Sequence, residues 1–228
     1  KLMTIHLLAP KDKSKWHSLW HRCYKIWETS PYQIKMWNDE EIDELLINDD
    51  KEFFDEYLNY LDPIYKFDYV RFIILKLYGG VYCDMDVAVV TDFIPLIKEN
   101  KIYMIEGESG EYVSNSIMIS KPSFGTKDTW KKIQDVAKFN VIRNFIECKE
   151  FKYLTIDTVG PIFLSNWFSR HKETIQQLGV NLEILGYNQF QKGDDADIVF
   201  TKHYCTHTWS DGGKFEFPKN YFNKKILK

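Results

Sequence analysis

Apolar and polar residues fall into short blocks along this chain, and the period changes from block to block. Residues 4–8 form a compact apolar run that stops before Pro10, which predicts a buried first strand. Over residues 15–28, Trp16, Leu19, Trp20, Cys23 and Trp27 recur at the spacing of one helix face, with Ser14 placed to cap the amino end. Ser30-Pro31 interrupts that helix, and residues 32–37 alternate as a second strand. Asn38 or Asp39 then caps a helix running through Leu46, and residues 51–61 predict another short helix. Pro63 opens a longer helix over residues 64–78, which Gly79-Gly80 terminates. Further strands are expected at 81–83, 87–90, 102–105, 116–119, 180–185 and 198–200, and further helices over 127–145 and 159–172. Helices alternating with short strands predict an α/β sheet covered on both faces. No repeat and no linker rich in Pro, Gly or Ser divides the chain. One domain over residues 1–228 is therefore expected, with 38–61 as a candidate helical insert and 214–228 as a tail.

Composition narrows the classes. A length of 228 residues, 44% hydrophobic and 28% charged, is ordinary for a globular chain and excludes disorder. The aromatic share of 16% is high, and such rings stack on bases and sugar faces as well as filling cores. Trp16, Trp20 and Trp27 sit at helical spacing and read as core. Thirty Lys and Arg against 33 Asp and Glu leave a formal charge of −3, which argues against a duplex nucleic-acid binder. Four separated cysteines (Cys23, Cys83, Cys148 and Cys205) form no disulfide framework and fit a reducing compartment. No apolar run approaches the roughly 18–20 residues that span a bilayer, and the first residues lack a cleavable signal pattern. The expectation is a cytoplasmic protein, peripheral at the inner membrane if its tail touches lipid. That tail carries five lysines against Glu216, interleaved with Phe215, Phe217, Tyr221 and Phe222. A solvated basic tail is the plainer reading.

The most informative stretch is residues 68–86. A helix carrying Asp68 and Arg71 stops at Gly79-Gly80, the apolar Val81-Tyr82-Cys83 follows, and Asp84 and Asp86 stand at its carboxyl end. Side chains at i and i+2 of a strand point the same way, so the two carboxylates can converge on one hard cation such as Mn²⁺ or Mg²⁺. Ligands of open α/β sheets bind outside the carboxyl ends of the strands. A cation there would neutralise a diphosphate leaving group. The bland alternative is a turn after an edge strand. A second Asp-x-Asp, Asp195-Ala196-Asp197, lies in a polar stretch and reads as a solvated loop. Asp68 and Arg71 lie three apart on one helix face, and their bland reading is a surface ion pair.

Taken together, residues 68–86 resemble the signature of the DXD-containing sugar transferases. Within these the resemblance is to the family of the yeast initiating α-1,6-mannosyltransferase, the animal α-1,4-galactosyl- and N-acetylglucosaminyltransferases and many bacterial polysaccharide enzymes. The glucosylating domains of large clostridial toxins share the segment. The resemblance implies a GT-A fold, with a single Rossmann-like mixed sheet flanked by helices. It implies a nucleotide-sugar donor, dependence on Mn²⁺ or Mg²⁺, and retention of anomeric configuration. By the same resemblance Asp68 contacts sugar or ribose hydroxyls, Arg71 contacts the donor, and Asp84 and Asp86 serve the metal.

Other positions match more loosely. Asn115, in Ser114-Asn115-Ser116, is similar to the family's Asn-containing strand start facing the transferred sugar, and equally reads as a turn cap. Thr158-Val159-Gly160-Pro161 is similar to a Thr-Gly-Pro element in which Gly160 lets backbone approach the ligand. Its plain reading is a loop-to-helix start. Near the carboxyl end, His207-x-Trp209-Ser210 is the best match to the family's closing segment, which supplies a metal ligand or pyrophosphate contact. His207 is the expected third ligand and His203 the fallback, with Trp209 and Ser210 as donor contacts. A zinc site built from His203, Cys205 and His207 lacks a fourth ligand at an expected spacing.

The expected function is transfer of a sugar, from a uridine-linked in preference to a guanosine-linked donor, to a saccharide or lipid-linked saccharide in surface polysaccharide synthesis. Two other classes compete. A nucleotide-sugar nucleotidyltransferase needs an early Gly-rich phosphate loop, and Leu8-Ala9-Pro10-Lys11-Asp12-Lys13 contains no glycine. A carbohydrate-binding module would have no use for Asp68 and Arg71 ahead of the dyad.

Overall fold

A computed structural model describes residues 3–147, 155–192 and 198–204. Six strands form one mixed sheet: β1 (Thr4–Leu8), β2 (Gln33–Trp37), β3 (Gly80–Cys83), β5 (Lys101–Glu106), β6 (Val113–Ser120) and β7 (Asn181–Leu185). Their order is β2-β1-β3-β6-β5-β7. Strand β6 runs antiparallel to both neighbours and the other five run the opposite way. A two-stranded ribbon pairs β4 (Val87–Val89) with β8 (Thr201–His203). The helices are α1 (Ser18–Glu28), α2 (Asp39–Glu56), α3 (Pro63–Leu77), α4 (Phe124–Ile146), α5 (Thr155–Thr158), α6 (Pro161–Arg170) and α7 (Lys172–Gln177). The α/β class and the mixed sheet flanked by helices are as expected.

The alternation of the strands sorts the core into two layers. Tyr82, Met104 and Met118 face a cluster with Ile42 and Phe53 of α2, Phe72 of α3, Trp130 of α4 and Phe163 of α6. Val81, Cys83, Ile105, Ile117 and Ile119 face the other way, against Trp27 of α1, Val87 of β4 and Phe190. Residues 38–61, set apart by the sequence pattern, therefore pack into the same cluster as α3. Their two expected helices run together as α2, with Asp50 non-helical at the junction (φ −159°). Asp50 accepts a bond from Phe53 N at 3.0 Å, so it caps the second half. No described helix is long and apolar enough to cross a membrane. The described cysteines, Cys23 and Cys83, are buried free thiols.

Several boundaries differ from expectation for local reasons. Ser14 lies in a 3₁₀ turn capped by Asp12, and α1 starts later, with His17 Nδ1 accepting from Leu19 N. Trp16 is thus outside α1, yet it is buried, its indole donating to Pro10 O at 2.7 Å. Helix α4 starts earlier than its apolar pattern because Ser123 and Thr126 form a reciprocal capping box. The late strand lies at Thr201–His203 rather than 198–200.

The double glycine does more than end α3. Gly79 and Gly80 both have positive φ, +62° and +98°. A Cβ on Gly80 would sit 2.4 Å from Thr4 O, where β1 and β3 run side by side. Gly80→Ala should cost about 3 kcal/mol, since clash and backbone strain add. Thermal unfolding should show a drop of roughly 6–12 °C, and an unchanged melting temperature would contradict this packing.

His6 lies under the same turn. Its Nε2 is 2.9 Å from Gly79 O, and Trp37 Nε1 donates to its Nδ1 at 3.2 Å. An indole only donates and a carbonyl only accepts, so the ring is neutral with its proton on Nε2. Burial lowers its pKa to about 4, from 6.5. Between those values the unfolded chain takes up a proton that the folded chain refuses, so stability falls on acidification across that window. The loss attributable to His6 is about 3 kcal/mol between pH 7 and pH 4. Asp68 works in the opposite sense over part of the same range, because its carboxyl is raised from 3.8 to about 6 on folding, chiefly by burial. Comparing urea unfolding of the wild type and His6→Gln at several pH values isolates the His6 share. A difference between them that did not change with pH would refute it.

Candidate active site

Strand β3 is buried throughout and ends where the chain turns. Asp84 N donates to Ser116 O at 2.8 Å, and Val87 N returns to Asp84 O at 3.2 Å. This closes a tight turn over residues 84–87. Asp84 and Asp86 converge as expected, but through this turn rather than through strand alternation.

The ribbon brings in the third group. Val87 pairs with His203, and Tyr204 N donates to Asp86 O at 3.0 Å. His203 Nε2 thereby lies 3.2 Å from Asp86 Oδ1. One ligand atom from each of Asp84, Asp86 and His203 lies within 4.8 Å of the others. The expected fallback histidine thus joins the dyad. His207, Trp209, Ser210 and the tail 214–228 lie outside the described residues, as do Cys148, Cys205 and Asp195-Ala196-Asp197.

Behind the dyad, Asp68 and Arg71 are 5% and 7% exposed, so the surface-pair reading fails. Arg71 Nη2 is 3.0 Å from Asp68 Oδ1 and 3.4 Å from Asp84 Oδ1. Its Nη1 and Nε donate to Asn115 O and Phe67 O at 3.0 and 3.2 Å. Its guanidinium lies over the Tyr82 ring. Asn115 Nδ2 donates to Asp68 Oδ1 at 3.1 Å, and the Tyr82 hydroxyl donates to Asp84 Oδ1 at 2.6 Å. Asn115 is therefore a member of the network rather than a turn cap.

Electrostatics follow from this enclosure. Burial raises the Asp84 carboxyl above its ordinary range, Asp86 adds to the rise, and Arg71, His203 and Tyr82 oppose it. Burial likewise holds the Tyr82 phenol well above its usual value, so it remains a donor. With Asp68, Asp84 and Asp86 ionised, three carboxylates face one guanidinium, which leaves two negative charges when His203 is neutral. Two carboxylates and an imidazole suit a divalent cation such as Mn²⁺, and one such ion would balance that charge. The donor set therefore fits the expected metal.

Gly160 caps α6, but the space beside its Cα is taken by the chain itself. A Cβ there would meet Ile156 Cα at 2.8 Å and Thr155 O at 3.2 Å. The close approach that its missing Cβ permits is to α5. Val159 likewise precedes α6 instead of starting it. Three polar side chains at the site, Tyr82, Ser116 and Gln191, carry no role in the sequence pattern. Tyr82 is discoverable there, since it precedes Asp84 by two. Ser116 and Gln191 are not, because nothing local marks them.

Comparison with known proteins finds a family match to part of the chain, including Asp68, Arg71, Asp84 and Asp86. The family described as glycosyltransferase sugar-binding region containing DXD motif matches residues 14–103. Inositol phosphoceramide mannosyltransferase 3 of Schizosaccharomyces pombe is 31% identical over 183 residues, 79% of this chain and 48% of that protein. Mannosyl phosphorylinositol ceramide synthase SUR1 of Saccharomyces cerevisiae is 31% identical over 144 residues, 62% and 35% of the two chains. The chain thus spans less than half the length of these relatives. Among solved structures, the PaToxG glycosyltransferase aligns with a TM-score of 0.48 at 12% identity, over 77% of this chain and 74% of that one.

Proposed function

We propose that this chain, which belongs to the family of glycosyltransferases whose sugar-binding region contains a DXD motif, transfers a hexose from a nucleotide-sugar to a saccharide or lipid-linked saccharide, with retention of configuration. The observation that carries this reading is the gathering of Asp84, Asp86 and His203 within 4.8 Å at the carboxyl end of β3, backed by the buried Asp68–Arg71 pair. Asp84, Asp86 and His203 would hold Mn²⁺ or Mg²⁺, with His207 as a further candidate ligand. When bound, such a cation supplies positive charge to the departing diphosphate.

The chain's own groups do the positioning. Arg71 is fixed by Phe67 O and Asn115 O, and it presents Asp68 toward hydroxyls of the donor sugar or ribose. Asn115 donates to the same carboxylate oxygen that Arg71 pairs with, and in this reading it would face the transferred sugar. Charge-assisted contacts of this kind orient a substrate at small entropic cost because the side chains are already ordered. No carboxylate is assigned as a nucleophile, and the acceptor hydroxyl would approach on the face that the nucleoside diphosphate leaves.

The donor is expected to be uridine-linked in preference to guanosine-linked. The relatives' names, which specify mannose and inositol-containing ceramides, support including a mannosyl donor and a lipid-linked acceptor among the candidates, alongside the surface polysaccharide. Incubating the protein with Mn²⁺ and a panel of nucleotide-sugars should release nucleoside diphosphate from one of them at least tenfold faster than from the rest. Equal, metal-independent background for all would refute the assignment, and glycan binding without nucleotide would favour a binding module. We also propose that the tail 214–228 touches anionic lipid where such an acceptor lies. Cosedimentation with anionic vesicles that vanishes in high salt would support it.

A further inference from the structure

Gln191 is 5% exposed and lies in a single π turn, Asn188–Lys192, in the loop that leads toward β8. The turn is tied to the approach to β8, since Phe200 N donates to Gln189 O at 2.9 Å. Gln191 touches two site residues that arrive on different strands. Its Nε2 donates to Ser116 Oγ at 2.7 Å, and its Oε1 lies 2.6 Å from His203 Nδ1. An amide oxygen only accepts, so the second contact requires the imidazole proton on Nδ1. A neutral ring protonated there carries its lone pair on Nε2, the atom 3.2 Å from Asp86 Oδ1. A carboxylate oxygen and that lone pair repel at this separation unless a cation, or the second proton of an imidazolium, lies between them. Ser116 supports the amide's orientation by accepting its N–H, and the Ser114 hydroxyl at 2.9 Å extends the chain. The reverse orientation would aim an N–H at Nδ1 and force the proton onto Nε2, facing Asp86.

Resting on the reading of Asp84, Asp86 and His203 as a divalent-cation site, we propose that Gln191 is a positioning residue. It holds His203 in the Nδ1–H tautomer and so aims the Nε2 lone pair at the cation beside Asp86. Groups that orient a ligating imidazole through its other nitrogen typically contribute 10–100-fold to metal affinity. The inference follows from three side chains on β6, the π turn and β8, and it adds a residue that acts through His203.

The test uses the full chain and Mn²⁺ alone. Proton–nitrogen correlation NMR on nitrogen-labelled apoprotein, recorded at alkaline pH where the imidazole is neutral, reads the His203 tautomer directly. The wild type should carry its proton on Nδ1, and Gln191→Leu should lose that preference. Titration calorimetry should then show Mn²⁺ binding roughly 10–100-fold weaker in Gln191→Leu. Gln191→Glu, which still offers an acceptor to Nδ1–H, should keep the tautomer and bind Mn²⁺ at least as tightly as the wild type. If the leucine variant does not fold, the glutamate variant decides, and a loss beyond tenfold in it would overturn the proposal. A wild-type imidazole protonated on Nε2, or unchanged Mn²⁺ affinity in a folded Gln191→Leu, would also overturn it. An Nδ1–H tautomer in a wild type that binds no Mn²⁺ would bring down the metal reading while leaving Gln191's hold on the ring intact.

Discussion

Replacing Asp86 with Asn should reduce sugar transfer at least about a thousandfold, equivalent to about 4 kcal/mol of transition-state stabilisation. Asp84 already accepts from Tyr82 and faces Arg71, so its charge is partly spoken for within the protein. Asp86 sits opposite His203 and supplies the second carboxylate of the candidate cation site. The asparagine keeps the shape and one acceptor oxygen but removes the charge. The fold should survive, because losing Asp86's charge relieves repulsion on Asp84, whose pKa it helps to raise. Two measurements check this together. Initial rates with donor and Mn²⁺ should collapse, and the rise in melting temperature that Mn²⁺ gives the wild type should disappear. Wild-type turnover in Asp86→Asn would end the metal-dependent reading.

Arg71→Leu should destabilise the protein by about 3–5 kcal/mol, an effect on folding rather than on chemistry alone. The guanidinium is the cation on which Asp68 and Asp84 both lean, at 3.0 and 3.4 Å. Removing it leaves Asp68, 5% exposed, to lean on the Asn115 amide. It also leaves the carbonyls of Phe67 and Asn115 without the guanidinium N–H groups that they accept from. A buried carboxylate stripped of its cation either bears its desolvation cost or takes up a proton. The variant should therefore lose less stability at low pH than at neutral pH, because protonating Asp68 removes the uncompensated charge. Chemical denaturation of Arg71→Leu at pH 5 and pH 8 checks both the size and the sign. A loss below about 1 kcal/mol at pH 8, the value of a surface pair, would show that Arg71 is not buried as described.

The elements of residues 63–90 were legible because their signals are local. Pro63 at a helix start, two glycines at its end, an all-apolar strand and a charged turn each act within a few residues. The same locality placed Asp68 and Arg71 on one helix face and Asp84 and Asp86 in one turn. Their burial was not legible, since a surface helix and a covered one share the i, i+3 spacing. It follows from β6, whose Asn115 closes over the pair. The capped starts of α1 and α4 depart from the apolar pattern for a similar reason. There the apolar stripe marks where a helix begins to pack, while His17 and Ser123 decide where it begins to form.

The sequence by itself determined the class of sheet, the Gly-Gly turn and the acidic dyad, because periodicity, caps and spacing are set by residues near one another in the chain. Only the tertiary structure decided which distant groups complete the site. His203 meets Asp86 through the register of β4 against β8, Val87 opposite His203. A slip of one residue would turn that imidazole to the other face. Gln191 reaches His203 from a π turn that no pattern announced, and the missing Cβ of Gly160 makes room for Ile156 of α5. Such contacts belong to the packed chain, where strand register and two core layers choose partners that sequence proximity leaves undetermined.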